Sequence, residues 1–268
     1  VSRSILFNSV DLSTITDCVI TRITPYNSPR RNLSTLNLSN SDGSKTTAAE
    51  YKDKTIVVEG YLEGDTVDEM EIARDTLMQY LAPIEKTLRF IQSGATRIYT
   101  GTVSDVTFSE SEGSSTTFVI TFVCADPFGY DPNYVLETTS NITSLPSNWT
   151  ITVAGTYNAK PVIQVTLSSP SSATRRLVIG RYSTATSAYL ESLWIQKDWT
   201  GDTGKTIVVD CLNKTVKMQG VALDYFGVFP EFEIGSQTIR FEGYDTAGAA
   251  SDFTDLNNPR LTYYKRYL

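Results

Sequence analysis

Histidine is absent from this chain. Its absence removes the Ser-His-Asp triad, the Cys-His dyad and any imidazole-ligated zinc or haem. Cysteine is scarce: Cys18, Cys124 and Cys211 are odd in number and widely spaced, with no CxxC pair. That spacing excludes a zinc ribbon and a dithiol redox motif. Cys124 and Cys211 each follow a strand-like run (118–123 and 207–210), so the three are expected as buried free thiols in a reducing compartment. Bases are in deficit, with 23 Lys and Arg against 30 Asp and Glu, a net charge of −7 and a pI near 4.8. A surface built to grip phosphates needs clustered bases, so specific nucleic-acid binding is not expected. No window approaches the roughly 18 apolar residues of a membrane span, and no membrane insertion is expected. The opening Val1–Phe7 has no apolar leader core, which suggests a chain made and assembled in a cytoplasm.

What is abundant is the small hydroxyl side chain. Thr (36) and Ser (27) make up nearly a quarter of 268 residues, beside 40% hydrophobic residues. That apolar fraction is too high for disorder. The length suits two small domains or one large all-β domain.

The local patterns point to a mainly β chain. Ser4–Phe7 and Cys18–Ile23 read as strands. Pro25 and Pro29 end that run, and the stretch to about Asp53 is polar, with Asn40–Ser44 as a turn signal. A loop of that length without structure is uncommon in a compact domain. The weak alternation of Leu33, Leu36 and Leu38 instead predicts a long β-hairpin arm. Lys54–Leu62 is β-branched and closed by Gly60, a strand signature. One helix follows. Thr66 and Glu69 form a capping box, acids crowd its first turn, and Met70, Ala73, Leu77, Tyr80, Leu81 and Ile84 keep a 3.6-residue period. Pro83 marks its end.

Strands resume at 87–92, 97–107 and 116–123. Both faces of the last are largely apolar, which predicts a sheet covered on both sides. Asp126–Pro132 is dense in turn residues, so a domain boundary is placed near residue 133. Residues 135–252 read as strand after strand with short turns, an antiparallel sandwich.

Catalytic chemistry finds little support. Without histidine the remaining option is a carboxylate pair, for which Asp210, Asp224, Glu231 and Glu233 are the candidates, but acids are common on strand ends. Asp198 and Asp202 lack calcium-loop spacing and read as a solvated loop. No nucleophile elbow, Walker A or dinucleotide motif occurs. No catalytic, cofactor or metal residue is therefore assigned. Trp149, Trp194 and Trp199, with Tyr182 and Tyr189, lie in the sandwich half, where such rings serve either the core or sugar stacking. Trp194 and Trp199 are the candidate glycan contacts under an alternative reading, a carbohydrate-binding module.

The order of elements resembles the distal tail protein (Dit) family of long non-contractile-tailed bacteriophages. Three segments carry the likeness: Ile56–Gly60 through the helix to Phe90; Phe122-Val-Cys-Ala-Asp126-Pro127-Phe-Gly-Tyr130; and Val208–Asp210 with Phe229–Ile239 and the terminal Tyr263–Leu268. The resemblance implies an N-terminal tail-tube-like β-barrel or sandwich over 1–133 with one helix. A galectin-like β-sandwich over 134–268 follows, whose last strand, 261–268, packs on either domain.

The resemblance further implies a structural virion protein and no enzyme. Six copies would form a ring joining the tail tube to the adsorption apparatus, with the genome passing through unbound. Tail-tip, tape-measure or receptor-binding proteins would be its partners. The arm at about 27–48, with Tyr26, Arg30, Arg31, Leu33, Leu36 and Leu38, resembles the hairpin that reaches a neighbouring subunit. Residues 61–90 hold seven acids against three bases. If Asp68, Glu69 and Glu71 line the lumen, they repel passing phosphates.

Overall fold

The computed structural model describes residues 3–25, 27–37, 44–92, 94–109, 113–168, 174–245, 248 and 255–268. The chain divides into two compact units, Val1–Pro132 together with Leu268, and Asn133–Tyr267.

The strands of the first unit are β1 (Arg3–Phe7), β2 (Val10–Asp11), β3 (Cys18–Ile23), β4 (Arg31–Asn37), β5 (Ser44–Tyr51) and β6 (Lys54–Glu63). Helix α1 (Val67–Leu81) comes next, then β7 (Lys86–Gln92), β8 (Ala95–Phe108), β9 (Ser115–Cys124) and the start of β10 (Gly129–Thr138). The main sheet is antiparallel and runs β2-β1-β7-β8-β9-β6-β3. β8 is long enough to serve different neighbours along its length. Its first half pairs with β7 and its second half with β9, and a register shift between Val103 and Asp105 bends it. β2 and β3 are not paired to one another among the described residues, so the barrel-like sheet stays open. β4 and β5 stand apart as a two-stranded hairpin.

The period of two decides what enters the core. Along β6, Lys54, Ile56, Val58, Gly60 and Leu62 point inward, and along β9, Thr116, Phe118, Ile120, Phe122 and Cys124 do. The opposite face of β9 is only partly covered, with Val119 exposed. The sheet is thus closed over on one side, which corrects the expectation of two covered faces.

Helix α1 buries Met70, Ala73, Leu77 and Leu81 against this sheet. Thr66 Oγ accepts from the Glu69 amide at 3.2 Å, and Glu69 Oε2 accepts from the Thr66 amide at 3.1 Å. This is the capping box read from the sequence. Tyr80 and Ile84 are exposed instead of buried. Tyr80 sits at the margin of the stripe, and the helix ends before Ile84.

The second unit continues β10 and adds β11 (Ser147–Val153), β12 (Val162–Leu167), β13 (Thr174–Ser183), β14 (Ala188–Asp198) and β15 (Thr206–Asp210). β16 (Thr215–Met218), β17 (Val221–Ala222), β18 (Phe226–Gly227), β19 (Gly235–Tyr244) and β20 (Leu256–Tyr267) complete it. Two antiparallel sheets, β17-β16-β15-β12-β20-β10 and β11-β19-β13-β14-β18, enclose one core. β20 lies between β12 and β10, so the C-terminal strand belongs to this sandwich. The turn cluster at 126–132 is shorter than its composition suggests, because β10 already starts at Gly129 and Tyr130 pairs with Ile98.

Close packing at Gly60 gives a direct test of the first sheet. A Cβ there would lie 2.4 Å from the Val19 carbonyl oxygen and 2.4 Å from the Phe118 ring. Gly60→Ala is expected to destabilise the protein by about 1–3 kcal/mol, read as a lower urea midpoint with an unchanged slope.

Candidate assembly surface: the arm and its root

The hairpin is polar and buries little: Arg31 to Leu36 and Ser44 to Glu50 are all exposed, and only Tyr51 is partly covered. β4 and β5 pair from Arg31↔Tyr51 to Asn37↔Ser44. Thr47 is the extra residue of a bulge, and its hydroxyl donates to the Ser34 carbonyl at 3.0 Å. Leu33 and Leu36 are 56% and 57% exposed. A two-stranded hairpin alone is marginally stable in water, so its conformation depends on how it is held.

It is held at its root by a layered contact. The Lys52 amide donates to the Arg30 carbonyl at 2.8 Å. The Tyr51 ring meets Phe128 edge to face, with centroids 5.8 Å apart. The Arg31 guanidinium lies 4.6 Å from the centre of the Tyr51 ring and also donates to its hydroxyl. Beneath these, the Tyr99 hydroxyl donates to the Pro25 carbonyl at 3.3 Å. Lys54, carried inward by the β6 register, donates its Nζ to the Tyr99 hydroxyl at 3.2 Å. Burial holds the Lys54 ammonium below the usual lysine range. Gly129 leaves room for this arrangement, since a Cβ there would meet the Tyr99 hydroxyl at 2.7 Å.

The segment Asp126–Tyr130 acquires a physical role here. Asp126 Oδ1 accepts from the Phe128 amide at 3.1 Å, and Oδ2 accepts from the Tyr130 hydroxyl at 2.5 Å. This turn fixes Phe128 under Tyr51 and Gly129 beside Tyr99. Lys54, Tyr99 and Phe128 did not stand out as arm residues in the sequence. The one available signal was a lysine in phase with the apolar residues of β6.

Of the arm residues named from the sequence, Arg30 and Arg31 lie at the root and Leu33 and Leu36 on the exposed blade. Tyr26 and Leu38 lie outside the described residues. Asp68, Glu69 and Glu71 all sit in the first half of α1. Glu69 is engaged in the cap, Glu71 pairs with Arg74 at 3.0 Å, and Asp68 has no side-chain partner among the described residues.

In the second unit Trp199 is fully buried, and its indole N–H donates to the Arg175 carbonyl at 3.0 Å. A buried ring has no face for a sugar, which corrects the expectation for Trp199. Trp194 is crowded by Phe226, stacked at 4.4 Å, and by the Arg176 guanidinium 4.0 Å from the ring centre. Asp202 is a second correction. It is buried, and it accepts from Lys197 at 2.5 Å and Lys205 at 2.7 Å, so it clamps a turn instead of sitting in a solvated loop. The candidate acids Asp210 and Glu233 are also engaged, Asp210 in its own turn and Glu233 with Arg181.

The thiols lie deep in the two cores. Burial pushes Cys18 up to about 11 and Cys124 to about 12, and Cys211 is also raised, so all three are protonated at neutral pH.

Residues 8–124 match the family model described as the phage tail protein RIFT-related domain. That match lies within the first unit. The chain is also similar to the Dit protein (gp 19.1) of SPP1, described as a paradigm of the hub adsorption apparatus in phages infecting Gram-positive hosts. The TM-score is 0.73 at 13% identity, over 100% of both chains. The chain carries the fold of a siphophage distal tail protein. The Dit resemblance read from the three sequence segments therefore holds, with a mainly β, two-part architecture. A chain of the phage P2 baseplate, in its activated conformation with calcium, also matches, at 10% identity and TM-score 0.46, covering 99% of this chain and 98% of that one. No curated protein sequence matches.

The root generates a prediction. Tyr99→Phe removes the acceptor for a buried ammonium and the donor to Pro25. The cost is expected at about 1–3 kcal/mol, and amide exchange over 25–31 and 51–54 is expected to speed up. An unchanged exchange rate there would show that the arm is held by other contacts.

Proposed function

We propose that this chain is a structural hub of a phage's distal tail. Six copies close a ring that joins the tail tube to the host-adsorption apparatus, and the genome passes through its centre without specific binding. The observation that carries this reading is the arm: an exposed hairpin, anchored at its root and paired with no other strand among the described residues. Such an element gains stability by lying on a neighbour, and repeated around an axis that contact closes a ring. The full-length likeness to a hub protein supports the same reading.

The second unit offers the surface for further tail partners, such as tail-tip or receptor-binding proteins. The protein would reside in the virion tail after assembly in the bacterial cytoplasm. No side-chain constellation among the described residues suggests catalysis in this reading. A lumen role for α1 rests on Asp68 more than on Glu69 or Glu71, which are already engaged within the chain.

Light scattering after size exclusion tests the ring, together with negative-stain imaging. The expected particle has about six times the 29.7 kDa mass of one chain and an open centre. A monomer at every concentration, with no ring in the images, contradicts the proposal.

A further inference from the structure

The first unit carries a groove of about 440 Å³ between the Val10–Asp17 segment and one side of α1. Val10 and Asp17 border it on one side, and Glu69, Ile72, Thr76 and Tyr80 on the other. Ile72 is 65% exposed and Tyr80 39%, so the groove leaves apolar surface in water. Its charged lining is acidic only: Asp17, whose carboxylate has no partner among the described residues, and Glu69. Asp65, Asp68 and Asp75 add negative charge nearby on exposed positions.

The arm is complementary in both respects. Residues 27–52 hold four bases (Arg30, Arg31, Lys45, Lys52) against two acids (Asp42, Glu50), in a chain whose net charge is −7. Arg30, Lys45 and Lys52 have no side-chain partner among the described residues. The blade carries the exposed Leu33 and Leu36, which the regular pleat of β4 directs to opposite faces, so either face of the hairpin offers an apolar anchor. The dimensions agree. Seven residues of β4 extend about 23 Å at 3.3 Å per residue, and Glu69 to Tyr80 spans about 17 Å at 1.5 Å per residue.

We propose that this groove is the seat for the arm of a second copy of the chain. The inference rests on the ring reading and adds to it the receiving surface and the forces that select it. Leu33 or Leu36 covers Ile72 and Tyr80, while the arm's lysines and Arg30 face Asp17 and the acids of α1. The acidic first half of α1 then serves contact between copies, and the positive arm finds it by charge as well as by shape. The arm of the same chain does not fill the groove, because its blade is solvent-exposed in the folded chain.

The test uses the full chain with the photo-cross-linker p-benzoylphenylalanine in place of Leu33 and, separately, of Leu36. Isotope-labelled and unlabelled copies are mixed, irradiated, and their adducts mapped by mass spectrometry. At least one probe is expected to give adducts between copies on 10–17 or 67–80. Rings whose adducts map elsewhere, or lie within one copy, overturn the seat and leave the ring standing. A chain that never associates gives no adduct between copies and overturns both.

A charge exchange gives the second readout. Ile72→Arg with Thr76→Arg places the arm's own charge in the groove and is expected to weaken association about tenfold or more, with helical content unchanged. Adding Arg30→Glu, Lys45→Glu and Lys52→Glu is expected to recover part of that loss. Association unaffected by the groove pair overturns the proposal, as does loss that simply adds when the two sets are combined.

Discussion

Two strands cannot bury a face between them, and everything distinctive about this chain follows from that constraint. The β4–β5 hairpin has both of its faces and both of its outer edges in water. It keeps its direction because Tyr51 is packed on Phe128 and because Tyr99, supported from inside by Lys54, ties down Pro25. A buried lysine at the end of a core strand is costly without a partner. Its use here is to hold a hydroxyl in place under a projecting arm. The core of the first unit thus does two jobs. It stabilises an open sheet, and it provides a rigid mount.

How much of this was legible beforehand depended on whether a feature was local. The capping box at Thr66 and Glu69 depends on residues three apart, so its signature survives in the sequence and the structure reproduces it. The strand cores of β6 and β9 follow from a period of two. Lys54, Tyr99 and Phe128 were not recognised as a unit because they are brought together across three different strands or turns, and no short spacing links them. The burial of Trp199 and Asp202 is likewise tertiary. Their local sequence looks like a polar loop, but the turn folds back so that the indole enters the core and two lysines close over the carboxylate. The open edge between β2 and β3 is a tertiary property that composition does not encode.

The division of labour between the two units is physical as well as topological. The second unit is a complete sandwich with its own core and a C-terminal strand set inside one sheet. Among the described residues the first unit has an open sheet edge, a half-covered strand face at Val119 and a hairpin paired with no other strand.

The central claim is that the arm serves assembly and not folding. It is tested most directly by replacing residues 33–49 with an Asn-Gly turn, which preserves the Asn32↔Glu50 pair in a two-residue hairpin. Calorimetry and analytical ultracentrifugation would then be run on the shortened and full chains together. The account predicts a melting temperature within about two degrees of the full chain, because no core residue is removed, and complete loss of self-association. A shortened chain that unfolds, or one that assembles as well as the full chain, would contradict it.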